Sequence, residues 1–354
     1  MPGQKKIVYA LVCYNAEHSG VYKKILDQVT FWRSAGYAVQ LSVITDEKSR
    51  SHWLKLDSEA EILVDRNIFL KIVNRLSLLK IAASLNPSLI YLRDSFPIWI
   101  PNNRIPTVVE IQSLVGRELK IRSKGKFLLF KFLSKRVYSR IHGAVYVTNE
   151  LLMRNEHKLD SRIPKITISN GINLARVSKL PEYFLGKPSL FFVGSPNQPW
   201  HGVEELIEFG LSNQNIEIHL VGIEGGSTGG NIFFHGFLTP DEYGKIASTC
   251  IAGVGSLKLG VNEMKEASPL KVREYLALGL PVILKYKDTD FDGEEDYILS
   301  LPSDGLSLKA YSEEILEFLE KWSKTRVPRE KIQHLDIRNK EECRLKFFES
   351  TINK

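Results

Sequence analysis

A chain of 354 residues that runs twice through an α/β pattern predicts two tandem Rossmann-like domains. Three observations carry that prediction. Short runs rich in Val, Ile and Phe alternate with amphipathic stretches of helical spacing. The alternation is completed once in each half of the chain. Between the halves, at residues 170–188, the periodicity lapses and Gly171, Pro181, Gly186 and Pro188 cluster. A strand, a helix and a further strand in one sheet make a right-handed crossover and a parallel pair. Two such sets imply two α/β domains with a cleft between them.

In the first half the expected strands are 7–13, 38–44, 61–64, 88–92, 107–111, 144–147 and 165–168. The stretch 22–35 between the first two carries Ile25, Val29 and Trp32 at helical spacing. In the second half strands are expected at 190–193, 216–221, 232–234, 251–254, 281–284 and 297–299, with helices at 203–209, 241–248 and 269–278. A last helical pattern, 340–352, offers Leu345, Phe347 and Phe348 as apolar surface. The expected organisation is an N-terminal domain over 1–170, a linker over 171–188 and a C-terminal domain over 189–339. Residues 340–354 are expected to pack back on the first domain. Two cores suit this length, since single cores rarely grow beyond 250–300 residues.

Hydrophobic residues make up 43% and charged residues 25%, which excludes an intrinsically disordered chain. The longest uncharged apolar run, from Tyr275 to Leu284, is ten residues, about half of what a bilayer-spanning helix needs. Lys5 and Lys6 before an apolar run imitate a signal peptide, but Tyr14, Asn15, Glu17 and His18 interrupt it, so a first strand is expected. Cys13, Cys250 and Cys343 are far apart and in no metal-ligand spacing. Free thiols in a reducing compartment, the cytoplasm, are the simplest inference.

The richest segment runs Glu266-Ala267-Ser268-Pro269-Leu270-Lys271-Val272-Arg273-Glu274. Ser268 reads as a hydroxyl N-cap and Pro269 as the first helical residue. Gly279 stops the helix. The free amides at such a helix start favour an anion. Lys271 in the first turn opposes the helix dipole, which makes sense where a phosphate is present to accept it. Glu274, one turn further on the same face, is about 9 Å along the axis from the cap. That matches the distance from a diphosphate to the ribose of the same nucleotide, whose diol a carboxylate accepts. Glu266 stands on the other side of the phosphate. The same spacing also fits an ordinary βα unit with solvated glutamates.

Glu266-x7-Glu274, with Ser-Pro-Leu-Lys between and Gly279-Leu280-Pro281 following, resembles the signature of retaining GT-B glycosyltransferases of family 4. Three further segments resemble that family in the same order: Gly20-Val21-Tyr22 after the first strand, Asn170-Gly171-Ile172-Asn173, and Val193-Gly194-Ser195 followed by Trp200-His201-Gly202. The resemblance implies that Glu266 and the groups of Ala267, Ser268, Pro269 and Leu270 hold the donor sugar. It places Lys271 on the diphosphate and Glu274 on the ribose. It also lets Gly194 and Ser195 approach the phosphate, puts the base near Gly236 and Phe237, and assigns Gly20 to an acceptor-side loop. Two departures stand out. Ser195 and His201 occupy positions where the family often has Arg and Lys. Gln112 stands at a strand end where the family usually has a His that meets the donor sugar.

The chemistry so implied is glycosyl transfer from a nucleotide-diphosphate sugar to a glycan or lipid-linked acceptor, with no metal and no cofactor. The leaving phosphate is stabilised by amides, helix dipole and Lys271 rather than by a dedicated nucleophile. A GT-B nucleotide-sugar epimerase and a catalytically silent binding subunit are the competing readings.

Other signals are weaker. Asp288-Thr289-Asp290 opens like a calcium loop, but position twelve is Leu299 rather than Glu, and a solvated acidic loop is expected. Gly222, Gly225, Gly226, Gly229 and Gly230 make a flexible loop without the Lys-Ser/Thr of a P-loop. From Lys120 to Arg140 there are eight basic residues and no acid, against a net charge of +7 for the whole chain. Phe127, Leu128, Phe130 and Phe132 interleave with them. One amphipathic helix is expected there, resting either on an anionic membrane surface or on the sheet with a solvated basic face. No nucleic-acid-binding module accompanies the charge.

Overall fold

The computed structural model describes residues 4–96, 98–100, 105–181, 187–226 and 230–353. Within the expected linker, residues 182–186 lie outside the described residues, as does Gly229 of the glycine loop. The chain divides into two compact units. One comprises Met1–Ser169 with Ile337–Lys354, the other Asn170–Asp336.

The first unit is built on β1 (Lys6–Val12), β2 (Ala38–Thr45), β3 (Glu61–Val64), β4 (Leu89–Arg93), β5 (Thr107–Ile111), β6 (Gly143–Tyr146) and β7 (Lys165–Thr167). All pair in parallel, in the order β3-β2-β1-β4-β5-β6-β7. The helices are α1 (Gly20–Ser34), α2 (Arg50–Leu56), α3 (Ile68–Ser84), α4 (Val115–Arg122), α5 (Lys124–Tyr138) and α6 (Asn149–Arg154). Strands buried on both faces need near-continuous apolar sequence, and Ile7 through Leu11 are wholly buried. The basic stretch is two helices rather than the one expected. Ser123 leaves helical geometry, with φ −164° and ψ 109°, and its side chain accepts from the Lys126 amide to start α5. A serine is a better cap than a helix interior residue.

The second unit has β8 (Ser189–Val193), β9 (Glu217–Val221), β10 (Ile232–Gly236), β11 (Ala252–Val254), β12 (Glu266–Ala267), β13 (Val282–Leu284), β14 (Lys287–Asp288) and β15 (Ile298–Ser300). Six form a parallel sheet in the order β10-β9-β8-β11-β13-β15, while β12 and β14 pair with each other. Its helices are α7 (Val203–Ser212), α8 (Pro240–Ser248), α9 (Leu270–Leu278) and α10 (Ser312–Trp322). Phe191, Phe192, Phe209, Tyr275 and Leu276 fill its core.

The last helix, α11 (Ile337–Ile352), belongs to the first unit. Phe348 packs edge-on to Trp32 of α1, with ring centroids 5.5 Å apart, and lies 4.9 Å from Tyr91 of β4. Glu341 accepts from the Trp32 indole at 2.9 Å and from Gln28 at 3.1 Å. Cys13, Cys250 and Cys343 are free thiols. Among the described residues no helix is long and apolar enough to cross a membrane.

Candidate functional site

In the second unit the connections from β8 and β11 leave in opposite directions across the sheet. The carboxyl ends of those neighbouring strands are therefore a topological switch point, where open α/β sheets bind ligands. Gly194 follows β8 and donates to Val221 O at 3.0 Å. Gly222, next along from β9, reaches Gly236 O at 2.6 Å, and Gly236 donates to Ile223 O. A Cβ at Gly222 would lie 2.0 Å from the Gly194 carbonyl oxygen, so no other residue fits. The Gly194, Gly222 and Gly236 backbones thus form one layer at the strand ends. Phe237, just beyond, is half exposed.

Trp200 and His201 lie in a short 3-10 turn closed by Gly202, whose φ is 65°. The chain after β11 runs alongside it: Leu257 N donates to His201 O and Lys258 N to Trp200 O, both at 3.1 Å. A Cβ on Gly202 would meet Leu257 Cβ at 2.9 Å, which explains the glycine at this place.

The start of α9 differs from expectation by one residue. Pro269 is the N-cap, with ψ 138°, and Leu270 is the first helical residue. Ser268 does not cap the helix because its hydroxyl is taken elsewhere. It accepts from Asn170 N and from Arg273 Nη2, each at 2.9 Å. Measured from Pro269, Glu274 lies about 7.5 Å along the axis rather than 9 Å.

Arg273 is the residue that sequence reasoning missed. Wholly buried, it grips Asp288 through two bonds of 2.7 Å, Asp290 at 2.6 Å and Asn170 O at 2.9 Å. Burial works against its charge, but the Asp288 and Asp290 carboxylates outweigh that and raise its pKa. The solvated acidic loop expected at Asp288 and Asp290 is therefore corrected: both carboxylates are buried against this guanidinium. They tie β14, and through it Glu266 and Ala267 of β12, to the entrance of α9.

Lys271, in the first turn of α9, places its Nζ 3.8 Å over the Phe192 ring. That nitrogen is buried and has no hydrogen-bond partner among the described residues. Burial holds its pKa well below the ordinary lysine value. His201 packs edge-on to Phe192, with ring centroids 5.5 Å apart, and a Cβ on Gly194 would lie 2.9 Å from His201 Nδ1. Burial, then the charge of Lys271, pushes His201 down to about 3, so it is neutral at pH 7. Gly194, His201 and Lys271, distant in sequence, are thus one cluster. Ser195 beside them is exposed.

Glu274 accepts a short hydrogen bond from Tyr243 Oη of α8. Burial and the Glu274 charge raise the Tyr243 pKa, so it stays a donor. Tyr243 carried no motif of its own.

Gln112 and Gly20 are in the first unit. Gly20 opens α1 behind the N-cap Ser19. Gln112 follows β5 and donates to Glu110, to its carbonyl at 3.3 Å and its carboxylate at 3.4 Å. Glu110 is fully buried and receives Lys24 Nζ at 2.7 Å, Arg344 at 3.3 Å and Arg93 at 3.5 Å. Burial alone would raise its pKa; those three cations bring it down to about 2.

No protein-family model and no curated protein sequence matches the chain. Solved structures do, along its whole length. Sucrose-phosphate synthase from Thermosynechococcus elongatus superposes with a TM-score of 0.71 at 14% identity, covering 98% of this chain and 99% of that one. Anabaena HepE in complex with UDP and glucose gives 0.68 at 12%, covering 98% and 100%. The pneumococcal O-GlcNAc transferase GtfA in complex with UDP and GlcNAc gives 0.64 at 12%, covering 99% and 100%. The fold is GT-B. In this GT-B chain the glycine layer, the Lys271 cluster and the Arg273 clasp all sit in the second unit, while Gln112 and Gly20 sit in the first.

Proposed function

We propose that the protein is a retaining glycosyltransferase of family 4 type, which moves a sugar from a nucleotide-diphosphate sugar to a glycan or lipid-linked acceptor. The observation that carries this reading is the buried, unpartnered ammonium of Lys271 in the first turn of α9, beside the glycine layer. A charge buried without a partner is costly. A diphosphate at the switch point would remove that cost, and the amides at the helix start would share the anion. Among the neighbouring structures, HepE, GtfA and an α-glucosyltransferase were solved with UDP or UDP-glucose, which supports a nucleotide sugar as donor.

In this mechanism Glu274 takes the ribose hydroxyls, oriented by Tyr243. Gly194 and Ser195 let the backbone approach the phosphate, and Gly236 and Phe237 border the base. Glu266 with Ala267, Ser268, Pro269 and Leu270 holds the sugar. Gly20 belongs to the acceptor side. As the glycosidic bond to phosphate breaks, negative charge grows on the leaving oxygen. Lys271 and the amides are already oriented toward it, so little reorganisation is needed. The leaving phosphate then accepts the acceptor's proton as the new bond forms on the same face. His201, being neutral, contributes a hydrogen bond rather than charge. With a resident ammonium in that place, catalysis needs no metal and persists in EDTA.

The acceptor reading includes a membrane. The face of α5 exposes Leu128 and Phe132, the latter at 84%, among Lys124, Lys126, Lys131 and Lys135. Apolar contact plus basic charge suits an anionic bilayer surface at the cytoplasmic face, with ~1 kcal/mol from each basic residue near it.

The test is a melting-temperature screen of nucleotide sugars followed by mass spectrometry of products on glycan and lipid-linked acceptors. Stabilisation by a nucleotide sugar and an added hexose of retained anomeric configuration are expected. A donor converted to its epimer with no new glycosidic bond would replace this reading with an epimerase. No stabilisation by any nucleotide would leave a silent GT-B subunit. Flotation with anionic but not neutral liposomes tests the membrane component.

A further inference from the structure

The first unit has a switch point of its own, between β1 and β4. At that place five charged side chains meet, and their charges do not balance. Glu110 and Glu341 supply two carboxylates. Lys24, Arg344 and Arg93 supply three cations. Four of the five side chains are at most 2% exposed; Arg93, the last residue of β4, is the outermost at 16%.

The carboxylates are fully used. Glu341 accepts from Gln28, the Trp32 indole and Arg344 at 3.1 Å or less. Glu110 takes Lys24 at 2.7 Å. Arg93 is served last: its one hydrogen bond among the described residues is Nη1 to Glu110, at 3.5 Å. Asp94, the next residue, does not compensate it, since its carboxylate accepts from Tyr138 at 2.5 Å and lies 3.0 Å from His157. Around this spot stand Gln112, itself bonded to Glu110, and the start of α1, which has no acid in its first turn. A guanidinium with a planar fork of donors and a single long bond, in a nearly dry network of excess positive charge, is built to take an oxyanion.

We propose that Arg93 reads an anionic group, phosphate or carboxylate, on the acceptor substrate. The proposal rests on the glycosyltransferase reading for the word acceptor; the anion site itself does not. Arg93 and Gln112 contact the substrate, while Lys24, Glu110 and Arg344 hold Arg93 in place. Glu110 fixes one edge of the guanidinium and leaves the other edge for the ligand. The anion supplies the third negative charge and brings the cluster to neutrality.

The experiment uses the full chain saturated with UDP, which occupies the donor site, and titrates inorganic phosphate calorimetrically into the wild type, R93Q and R93K. Wild type is expected to bind phosphate, R93Q to bind it roughly 10- to 100-fold more weakly, and R93K to recover part of the loss. UDP affinity is expected to be the same in all three. Transfer is then compared for glucose, glucose 6-phosphate and glucuronate as acceptors. Preference for one charged sugar over glucose, lost in R93Q through KM rather than kcat, supports the proposal, and which sugar is preferred separates phosphate from carboxylate. Equal phosphate affinity in wild type and R93Q, or better transfer to glucose than to both charged sugars, overturns it. Phosphate bound through Arg93 in a chain that binds no UDP supports the anion site and sinks the donor-site reading instead.

Discussion

The ammonium of Lys271 stands 3.8 Å over the ring of Phe192 and makes no hydrogen bond among the described residues. A ring face offsets part of the cost of burying a cation, about 2 kcal/mol or more when it is desolvated. The rest is carried by the folded state until an anion arrives. Replacing the ammonium by an isosteric apolar group, K271M, is therefore expected to raise the melting temperature without ligand and to cut turnover by roughly 100-fold or more. The pH dependence follows from the direction of the shift. Because the folded pKa lies well below the unfolded value of 10.5, the unfolded state binds more protons between the two. Stability is thus gained as pH rises through that window and lost as pH falls. The slope should be smaller in K271M, and smaller in wild type with saturating UDP. A melting curve of K271M below that of wild type at neutral pH would remove the argument.

Arg273 has the opposite character. Its charge is matched by Asp288 and Asp290, so removing it strands two buried carboxylates. R273M is expected to destabilise the second unit by about 3–5 kcal/mol in urea unfolding. The triple variant R273M/D288N/D290N should recover much of that, since uncharged groups of similar shape replace the whole network. If the triple variant is no more stable than R273M, the clasp is not what holds the α9 entrance.

These two neighbours show how far the sequence could be read. The alternation of apolar runs with helical spacing locates thirteen of the strands, because parallel strands buried on both faces leave a local signal. The pair β12 and β14 was not legible. Each is two residues long, too short to leave a periodic signal, and Asp288 of β14 is held by Arg273. Within 266–274 the proline, the lysine and the glutamates stood out, since their meaning depends on near neighbours. The arginine between them has no local pattern that gives it a role. Its carboxylate partners are fifteen and seventeen residues further on, and its other acceptors are Ser268 and Asn170. The same limit hid Tyr243 behind Glu274, and Phe192 beneath Lys271. Ser268 was misplaced as a cap for a related reason: a hydroxyl reads as a cap locally, but Asn170 and Arg273 claim it first.

His201 gives a second pH test. Its folded pKa of about 3 lies below the ordinary value near 6.5. The neutral form therefore contributes stability that is complete above about 6.5 and is lost progressively as pH falls toward about 3. H201Q, which keeps a polar group of similar reach without titrating, is expected to show a shallower loss of melting temperature over that window. Identical slopes in the two proteins would mean that burial of the ring does not disfavour its protonation.

Glu274 and Glu266 should separate by step. Glu274 is oriented by Tyr243 and is proposed to hold the ribose, so E274A and, more weakly, Y243F are expected to lower nucleotide affinity roughly tenfold. Glu266, on β12, is proposed to hold the sugar. E266A should therefore leave the UDP dissociation constant within about threefold of wild type and reduce kcat much more. Calorimetry with UDP and initial rates with the full donor distinguish the two. Equal effects of both variants on UDP binding would place the sugar elsewhere.

Gly222 tests the backbone layer on which the donor site depends. Two glycine replacements there differ in a way geometry dictates. At Gly236, φ is 62° and a Cβ would meet nothing within 4 Å, so G236A carries only the left-handed backbone cost, about 1–2 kcal/mol. At Gly222, φ is 75° and the Cβ would also sit 2.0 Å from the Gly194 carbonyl oxygen. That contact is with backbone at the end of β8 and cannot be relieved by a side-chain rotation. G222A must push the ends of β8 and β9 apart, and Gly194 moves with them, away from His201 and Lys271. The expected outcome is a larger loss of melting temperature for G222A than for G236A, together with loss of UDP affinity in the fraction that folds. A G222A protein with wild-type stability and affinity would show that the strand ends do not need to approach this closely.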